Sequence, residues 1–373
     1  MAAIRRALVV GGGIGGMSAA ISLRRRGVEV HLIDLDPQWR VYGAGITITG
    51  ATLRAFKELG VLDEVMAFAY TGEGIQVCNQ QGQRLHVVPT PAAGPDLPGC
   101  GGVMRPMLHR MLSSKTLGTG VAVRLGLTVD KIVSGAEGAD VRLSDGSRER
   151  YDLIVGADGL RSRVRTLLFA DAPQPSYTGQ SVWRIVAPRP PEIARRHFFL
   201  GGACKVGLTP VSADEMYMFV LETGARRGVI PDPELPALLR SLLEEYGGLV
   251  ADIRESIGAS SQIVLRPLEG LILPAPWHKG RVILIGDAAH PTTPQLASGA
   301  GMAVEDGLVL AEELHRHTGV EEAFAAYMAR RYERCQLVVS NSMEIGRREQ
   351  RRAPIEEQTR LVEESLSVLA QPI

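Results

Sequence analysis

Short apolar runs that stop abruptly at glycine and an acid set the pattern of this chain. Ile4 to Val10 reads as a buried strand and halts at Gly11-Gly12-Gly13. Ile14 to Arg26 follows as a helix, with Ile14, Met17, Ile21 and Leu23 available for packing. Val28 to Ile33 returns as a strand that ends in Asp34. The same grammar recurs twice. Asp152-Leu153-Ile154-Val155 runs into Gly156-Ala157-Asp158-Gly159, and Arg281 to Ile285 runs into Gly286-Asp287. Short apolar runs bounded by turn residues suit strands buried on both faces of a parallel sheet.

Between these runs the period changes. Helices are predicted over Ala51 to Leu59, Leu62 to Ala69, Arg105 to Leu117, Gly301 to His317, Glu321 to Gln350 and Ile355 to Leu369. Residues 74 to 88 alternate around Gln81-Gly82 as a hairpin, Pro89 to Gly102 reads as a loop, and Val121 to Tyr151 as an antiparallel meander. Strand-like pieces at Ser181 to Ala187, His197 to Leu200, Lys205 to Leu208 and Met216 to Leu221 surround one helix, Glu234 to Tyr246. Nucleotide-type strands at both ends of the chain imply a discontinuous first domain. The expected fold is α/β: a Rossmann-like domain over 1–72, 101–174 and 272–373, ending in helices, with a mainly antiparallel sheet domain inserted over 73–100 and 175–271.

Gly11, Gly13 and Gly16 form a Gly-x-Gly-x-x-Gly turn between strand and helix. Such a turn brings backbone N–H groups and a helix N-terminus to a pyrophosphate. Asp34 stands near the offset of about 20 residues at which a carboxylate meets an adenosine ribose. These features point to a dinucleotide, nicotinamide or flavin, without choosing between them.

Composition narrows the class. The 373 residues carry 41 Lys plus Arg against 41 Asp plus Glu, so bulk charge offers no case for nucleic acid or anionic membrane. Four scattered cysteines (Cys78, Cys100, Cys204, Cys335) give neither metal-ligand spacing nor a disulfide framework. No apolar run reaches the roughly 18 residues of a membrane span, and no signal peptide precedes the first strand, so a cytoplasmic protein is expected.

The second motif, Asp158-Gly159-x-x-Ser162-x-Val164-Arg165, and the third, Gly286-Asp287-Ala288-Ala289-His290-Pro291, stand in order behind the glycine turn. With all three, the chain resembles the single-component flavin-dependent aromatic hydroxylases, such as the p-hydroxybenzoate and salicylate hydroxylases, over nearly its whole length. The resemblance implies their fold and FAD as cofactor. It places Gly11, Gly13 and Gly16 at the pyrophosphate and Asp34 at the ribose, with Ile14, Gly15, Leu35, Arg40, Gly45 and Arg105 as further FAD contacts. Asp158 and Gly159 match the fingerprint that links the FAD site to nicotinamide binding. Gly286 and Asp287 match the one at the ribityl chain. Pro294, Gly299, Ala300, Gly301 and Met302 fall on the loop and helix start beside the flavin ring. Many family members have Gly-Gln-Gly where this chain has Ala297-Ser298-Gly299.

The reaction implied is hydroxylation of a small aromatic or heteroaromatic ring, acidic or phenolic, through a flavin C4a-hydroperoxide, with NADH or NADPH as donor and O2 as co-substrate. No metal is implied, and the protein is expected to be a monomer or homodimer. Arg184, Tyr217 and Pro294 are the leading substrate-pocket candidates, with Thr47, Thr49 and Trp183 beside them. His290 is expected to be structural, helping to orient the loop. Trp183 to Pro188 lacks the W-x-W-x-I-P run of flavin halogenases. Two alternatives stand: a flavin monooxygenase, epoxidase or oxidase acting on a larger polyketide, quinolone or lipid-like molecule, and a flavin-binding regulator without turnover.

Overall fold

A six-stranded sheet carries all three corner motifs. The computed structural model describes residues 4–41 and 43–373. The sheet runs in the order His278–Lys279, Val282–Leu284, Leu153–Gly156, Arg6–Val10, Glu29–Asp34, Ala122–Leu125, parallel except at its first pair. Ala7, Leu8, Val9, Ile154, Val155 and Ile283 are wholly buried, which is why these strands read as unbroken apolar runs. The helices Ile14–Arg25 and Gly299–Arg316 lie side by side. Gly307 permits the close approach: a Cβ there would lie 2.5 Å from the Ala19 nitrogen.

A seven-stranded sheet is built from Val264–Gly270, Ser176–Pro188, Glu215–Thr223, Lys205–Pro210, Arg196–Leu200, Ile75–Asn79 and Arg84–Val88, in that order. Only Arg196–Leu200 and Ile75–Asn79 pair in parallel. Its faces differ, as strand alternation requires. Trp183, Ile185, Val206, Leu208, Met218 and Val220 pack under the helices Leu235–Leu242 and Gly248–Ser256. Arg184, Val186, Tyr217 and Phe219 take the opposite positions. The 31-residue helix Val320–Gln350 reaches this sheet, where Lys205 Nζ pairs with Glu349 at 2.8 Å in a buried contact.

Three expectations need correction. Ala122–Leu125 is no part of a meander: it pairs in parallel with Glu29–Asp34, and only Val129–Ser134, Ala139–Leu143 and Arg148–Tyr151 form the antiparallel sheet. Left-handed Gly120 and Gly126, at φ 80° and 74°, bracket that strand and turn it away. Cys100–Met104 is a strand, not the end of a loop, and lies between Gly45–Thr49 and Tyr70–Gly72. Its glycines are there for space, since a Cβ at Gly101 would lie 2.7 Å from the Tyr70 carbonyl oxygen. The single helix expected over Glu234 to Tyr246 stops at Leu242, and a second begins at Gly248, whose φ of 56° starts the new direction.

Candidate cofactor and substrate site

The three strand ends are stitched together by backbone hydrogen bonds. Gly11 N–H donates to Ile33 at 2.8 Å, Ala157 N–H to Val10 at 2.8 Å, and Ile285 N–H to Gly156 at 2.9 Å. Gly11, at φ 107°, presses on the second motif: a Cβ would lie 2.9 Å from the Asp158 Cα. Gly15 and Gly286 both face Ala303, each 3.3 Å from its Cβ by the same construction. The motifs thus share one cleft at the C-terminal edge of the sheet, where open α/β sheets bind ligands. Arg165, fully buried, ties two of them. Its guanidinium donates to the Leu160 carbonyl at 2.8 Å and the Ala288 carbonyl at 2.9 Å. Sequence reading placed Arg165 in a motif but gave it no task.

The cleft offers unused backbone donors to an anionic ligand. Gly13 has no protein atom within 4 Å of where its Cβ would sit, and its φ of −75° suits any residue. Neither packing nor backbone strain asks for glycine there, so the open space beside it does. The Ile14–Arg25 and Gly299–Arg316 helices both begin at the cleft without a side-chain cap or a first-turn acid. Met17 N–H returns to Gly13 and Met302 N–H to Ser298, which leaves the first-turn N–H groups of Ile14, Gly15, Gly16, Gly299, Ala300 and Gly301 to a ligand.

The acids take distinct positions. Asp34 accepts from Gly12 N–H at 2.6 Å and Asp36 N–H at 2.8 Å, which fixes its carboxylate beside the glycine turn. Asp158 caps Arg163–Leu168, accepting from Arg163 N–H at 2.7 Å, Val164 N–H at 3.0 Å and the Ser162 hydroxyl at 2.5 Å. Asp287 faces into the cleft, where surface remains open beside it but protein surrounds it on the other sides. Enclosure by the surrounding protein raises its carboxyl, against the pull of His290 and Arg105. Leu35 is exposed, and Arg40 pairs with Asp36 at 3.1 Å on the surface. Met302 turns inward, its carbonyl and sulfur both receiving Arg331. Trp39, which sequence reading did not single out, donates its indole N–H to the Gly12 carbonyl at 2.9 Å.

Asp306 was also invisible in the sequence. It is fully buried and accepts from Gly286 N–H at 2.7 Å, His290 Nε2 at 2.6 Å and Arg331 Nε at 2.8 Å. Arg331 also donates to Glu305, which pairs with Arg334. Burial works against the charged His290 ring, but the Cys335 sulfur and the Asp306 carboxylate beside it carry its pKa well above the ordinary value. Burial likewise opposes the Asp306 carboxylate, and His290 with Arg331 outweighs it, holding this carboxyl well below its usual range. The ligating atoms of His290, Asp306 and Cys335 lie within 4.8 Å of one another, but the cation among them is Arg331, 3.4 Å from the Cys335 sulfur.

On the far wall stand the substrate candidates. Tyr217 donates or accepts at Thr47 Oγ1 across 2.6 Å, and its ring closes over Gly45. Arg184 lies on the same sheet face. Neither the Arg184 nor the Arg105 guanidinium has a hydrogen-bond or ion-pair partner among the described residues. Removal from water, then the positive charge of Arg105, lowers the Arg184 guanidinium to about 10. Trp183 is a corrected expectation: alternation turns it to the helix-covered face, where its indole donates to Glu222 at 2.9 Å. Thr49 is occupied as the cap of Gly50–Leu59. Pro294 is half-buried at the start of the turn Pro294–Leu296 that leads to the uncapped helix.

A family model described as "FAD binding domain" matches residues 5–342. The chain belongs to this family. More narrowly, it is a single-component FAD-dependent monooxygenase of the aromatic hydroxylase type. The aurachin C monooxygenase/isomerase of Stigmatella aurantiaca is 33% identical over 91% of this chain and 88% of its own. The 3-hydroxybenzoate 6-hydroxylase of Polaromonas naphthalenivorans is 30% identical over 91% and 87%. In fold, the monooxygenase matches Klebsiella pneumoniae HpxO solved with FAD and uric acid, with a TM-score of 0.81 at 23% identity over 98% of this chain and 96% of that one. FAD is its cofactor, and the open glycine, the two bare helix starts and the fixed Asp34 fit that group. No helix among the described residues is long and apolar enough to cross a membrane.

Proposed function

We propose that this monooxygenase hydroxylates a small aromatic or heteroaromatic ring that carries an anionic group, with NADH or NADPH as electron donor and O2 as co-substrate. The observation that carries this reading is the unpartnered guanidinium of Arg184. Burial and the positive charge of Arg105, itself given to the FAD, oppose it, and an anionic group on the substrate removes that cost. Arg184 takes the substrate's carboxylate or phenolate, since a guanidinium fork suits planar oxyanions. Tyr217, anchored by Thr47, hydrogen-bonds a ring substituent. Pro294 walls the ring on the flavin side.

On the cofactor side, Gly11, Gly13, Ile14, Gly15 and Gly16 hold the pyrophosphate, and Asp34 and Leu35 meet the ribose. Arg40, Gly45, Arg105, Asp158, Gly159, Gly286 and Asp287 line the rest of the FAD. Bound there, FAD supplies electron transfer and oxygen activation. Gly299, Ala300 and Gly301 offer N–H groups and a helix dipole to the flavin ring, which favours negative charge on it. Met302 serves through its backbone position alone. The sheet wall shuts water out of the reacting space. Residues 73–100 and 175–271 act as the substrate domain on this reading, and the remaining segments as the FAD domain.

Met104, Val186 and Phe219 form an apolar border around Tyr217. They favour, as a second reading, a ring with an apolar substituent, such as a quinolone.

A screen of benzoates, pyridine carboxylates and quinolones for stimulated NAD(P)H oxidation tests both. Anionic rings should accelerate oxidation and yield a product heavier by one oxygen, and uncharged analogues should not. Arg184→Met should raise KM for the best anionic substrate roughly 10- to 100-fold, the worth of a charged hydrogen bond, and leave FAD content unchanged. An unaltered KM would remove Arg184 from the substrate's site.

A further inference from the structure

Apart from the dinucleotide cleft, a small cavity lies between the start of the Gly50–Leu59 helix, the backbone at Thr90 and Cys100, and Leu366 and Leu369 of the last helix. Arg196 forms one wall and is 5% exposed. No described residue hydrogen-bonds or ion-pairs with its guanidinium, whose buried Nε has no partner. Its nearest ring is Phe198, 5.3 Å from Cζ to centroid. A guanidinium taken out of water needs a counter-charge, yet no acidic side chain lines this space.

Two further donors stand there, beside backbone carbonyls such as that of Pro91. Gly50 N–H serves the Gly99 carbonyl and Thr52 N–H the Thr49 hydroxyl, which leaves Ala51 N–H as the unused donor of a ten-residue helix. Thr90 Oγ1 already accepts from Gly74 N–H at 2.7 Å, so its own proton is free to be given. The cavity has room for a single small occupant. Water would leave the charge uncompensated. We propose that this cavity is a built site for a single halide ion, chloride in ordinary solution, held by Arg196, Ala51 N–H and the Thr90 hydroxyl. The ion completes the first turn of the helix whose Thr52 backs Gly301, where a Cβ would lie 3.2 Å from the Thr52 Cβ.

Crystals of the FAD-loaded protein grown in sodium bromide test this directly. Diffraction at the bromine edge should show an anomalous peak inside the cavity beside the Arg196 guanidinium. A non-anomalous water peak, or an empty cavity while bromide appears elsewhere, would overturn the site. In solution, the melting temperature should be a few degrees higher in chloride or bromide than in gluconate at equal ionic strength. Arg196→Met should lose that increment, and an undiminished increment would count against the proposal. Should the variant not fold, the bromide experiment on the unaltered chain still decides. Neither readout depends on which substrate the enzyme takes.

Discussion

Gly13→Asp should give a folded, colourless protein. The substitution separates binding from folding because the two respond with opposite sign. Gly13 is the N-cap of Ile14–Arg25, its φ is ordinary, and an added Cβ meets no protein atom. Asp is among the best N-cap residues, and its charge suits the positive helix end, so the apo protein should gain a few tenths to about 1 kcal/mol. The same carboxylate stands where a doubly charged pyrophosphate must come. One pair of like charges about 4 Å apart costs about 4 kcal/mol at an effective dielectric of 20. FAD affinity should therefore fall at least about a thousandfold. Thermal melting of the apo proteins and titration with FAD check both halves. A variant that stays yellow would mean the phosphates lie elsewhere.

Asp306→Ala should be the most damaging change to stability. It leaves His290 and Arg331 buried as cations without their shared carboxylate, and Gly286 N–H without an acceptor. Removing one partner of a buried ion pair costs about 3–5 kcal/mol, enough to leave little soluble protein. His290→Gln is the milder probe, and its pH dependence has a definite sign. The native pKa of His290 is raised, so its contribution is full below the unfolded value of about 6.5 and fades as pH climbs toward the native one. Denaturant melts of wild type and His290→Gln should differ more at pH 6 than at pH 8.5. A gap that widens with pH would show that His290 is not held charged. Asp306 is lowered, so its own contribution fades only in acid, below about pH 3.8.

These two residues also mark what a sequence can and cannot display. Gly13 is legible because its neighbours, the apolar strand before it and the helix after it, are local. Asp306 is not: on a helix, a carboxylate beside Glu305 reads as a solvated face. Its meaning comes from His290 and Arg331, 16 positions before and 25 after. The inserted sheet shows the same divide. Alternation puts Trp183 and Arg184 on opposite faces, but only the helices over 235–256 determine that Trp183 is the one covered. Cys100–Met104 was hidden because Gly101 and Gly102 read as flexible, when their role is to let neighbouring chain come near. Arg165 sat inside a recognised motif, but its acceptor at Ala288 lies 123 positions away.

The long helix Val320–Gln350 has a mechanical consequence. Thirty-one residues at about 1.5 Å each make a rod of roughly 46 Å. Arg331, in its first half, is bolted to Asp306 behind the Gly286 corner, and Glu349, near its far end, to Lys205 in the sheet. A wide hinge opening between the two walls would have to tear one of these buried pairs. Ligand traffic must therefore rely on segmental give along the cleft's rim, with the frame itself kept at constant span through each turnover.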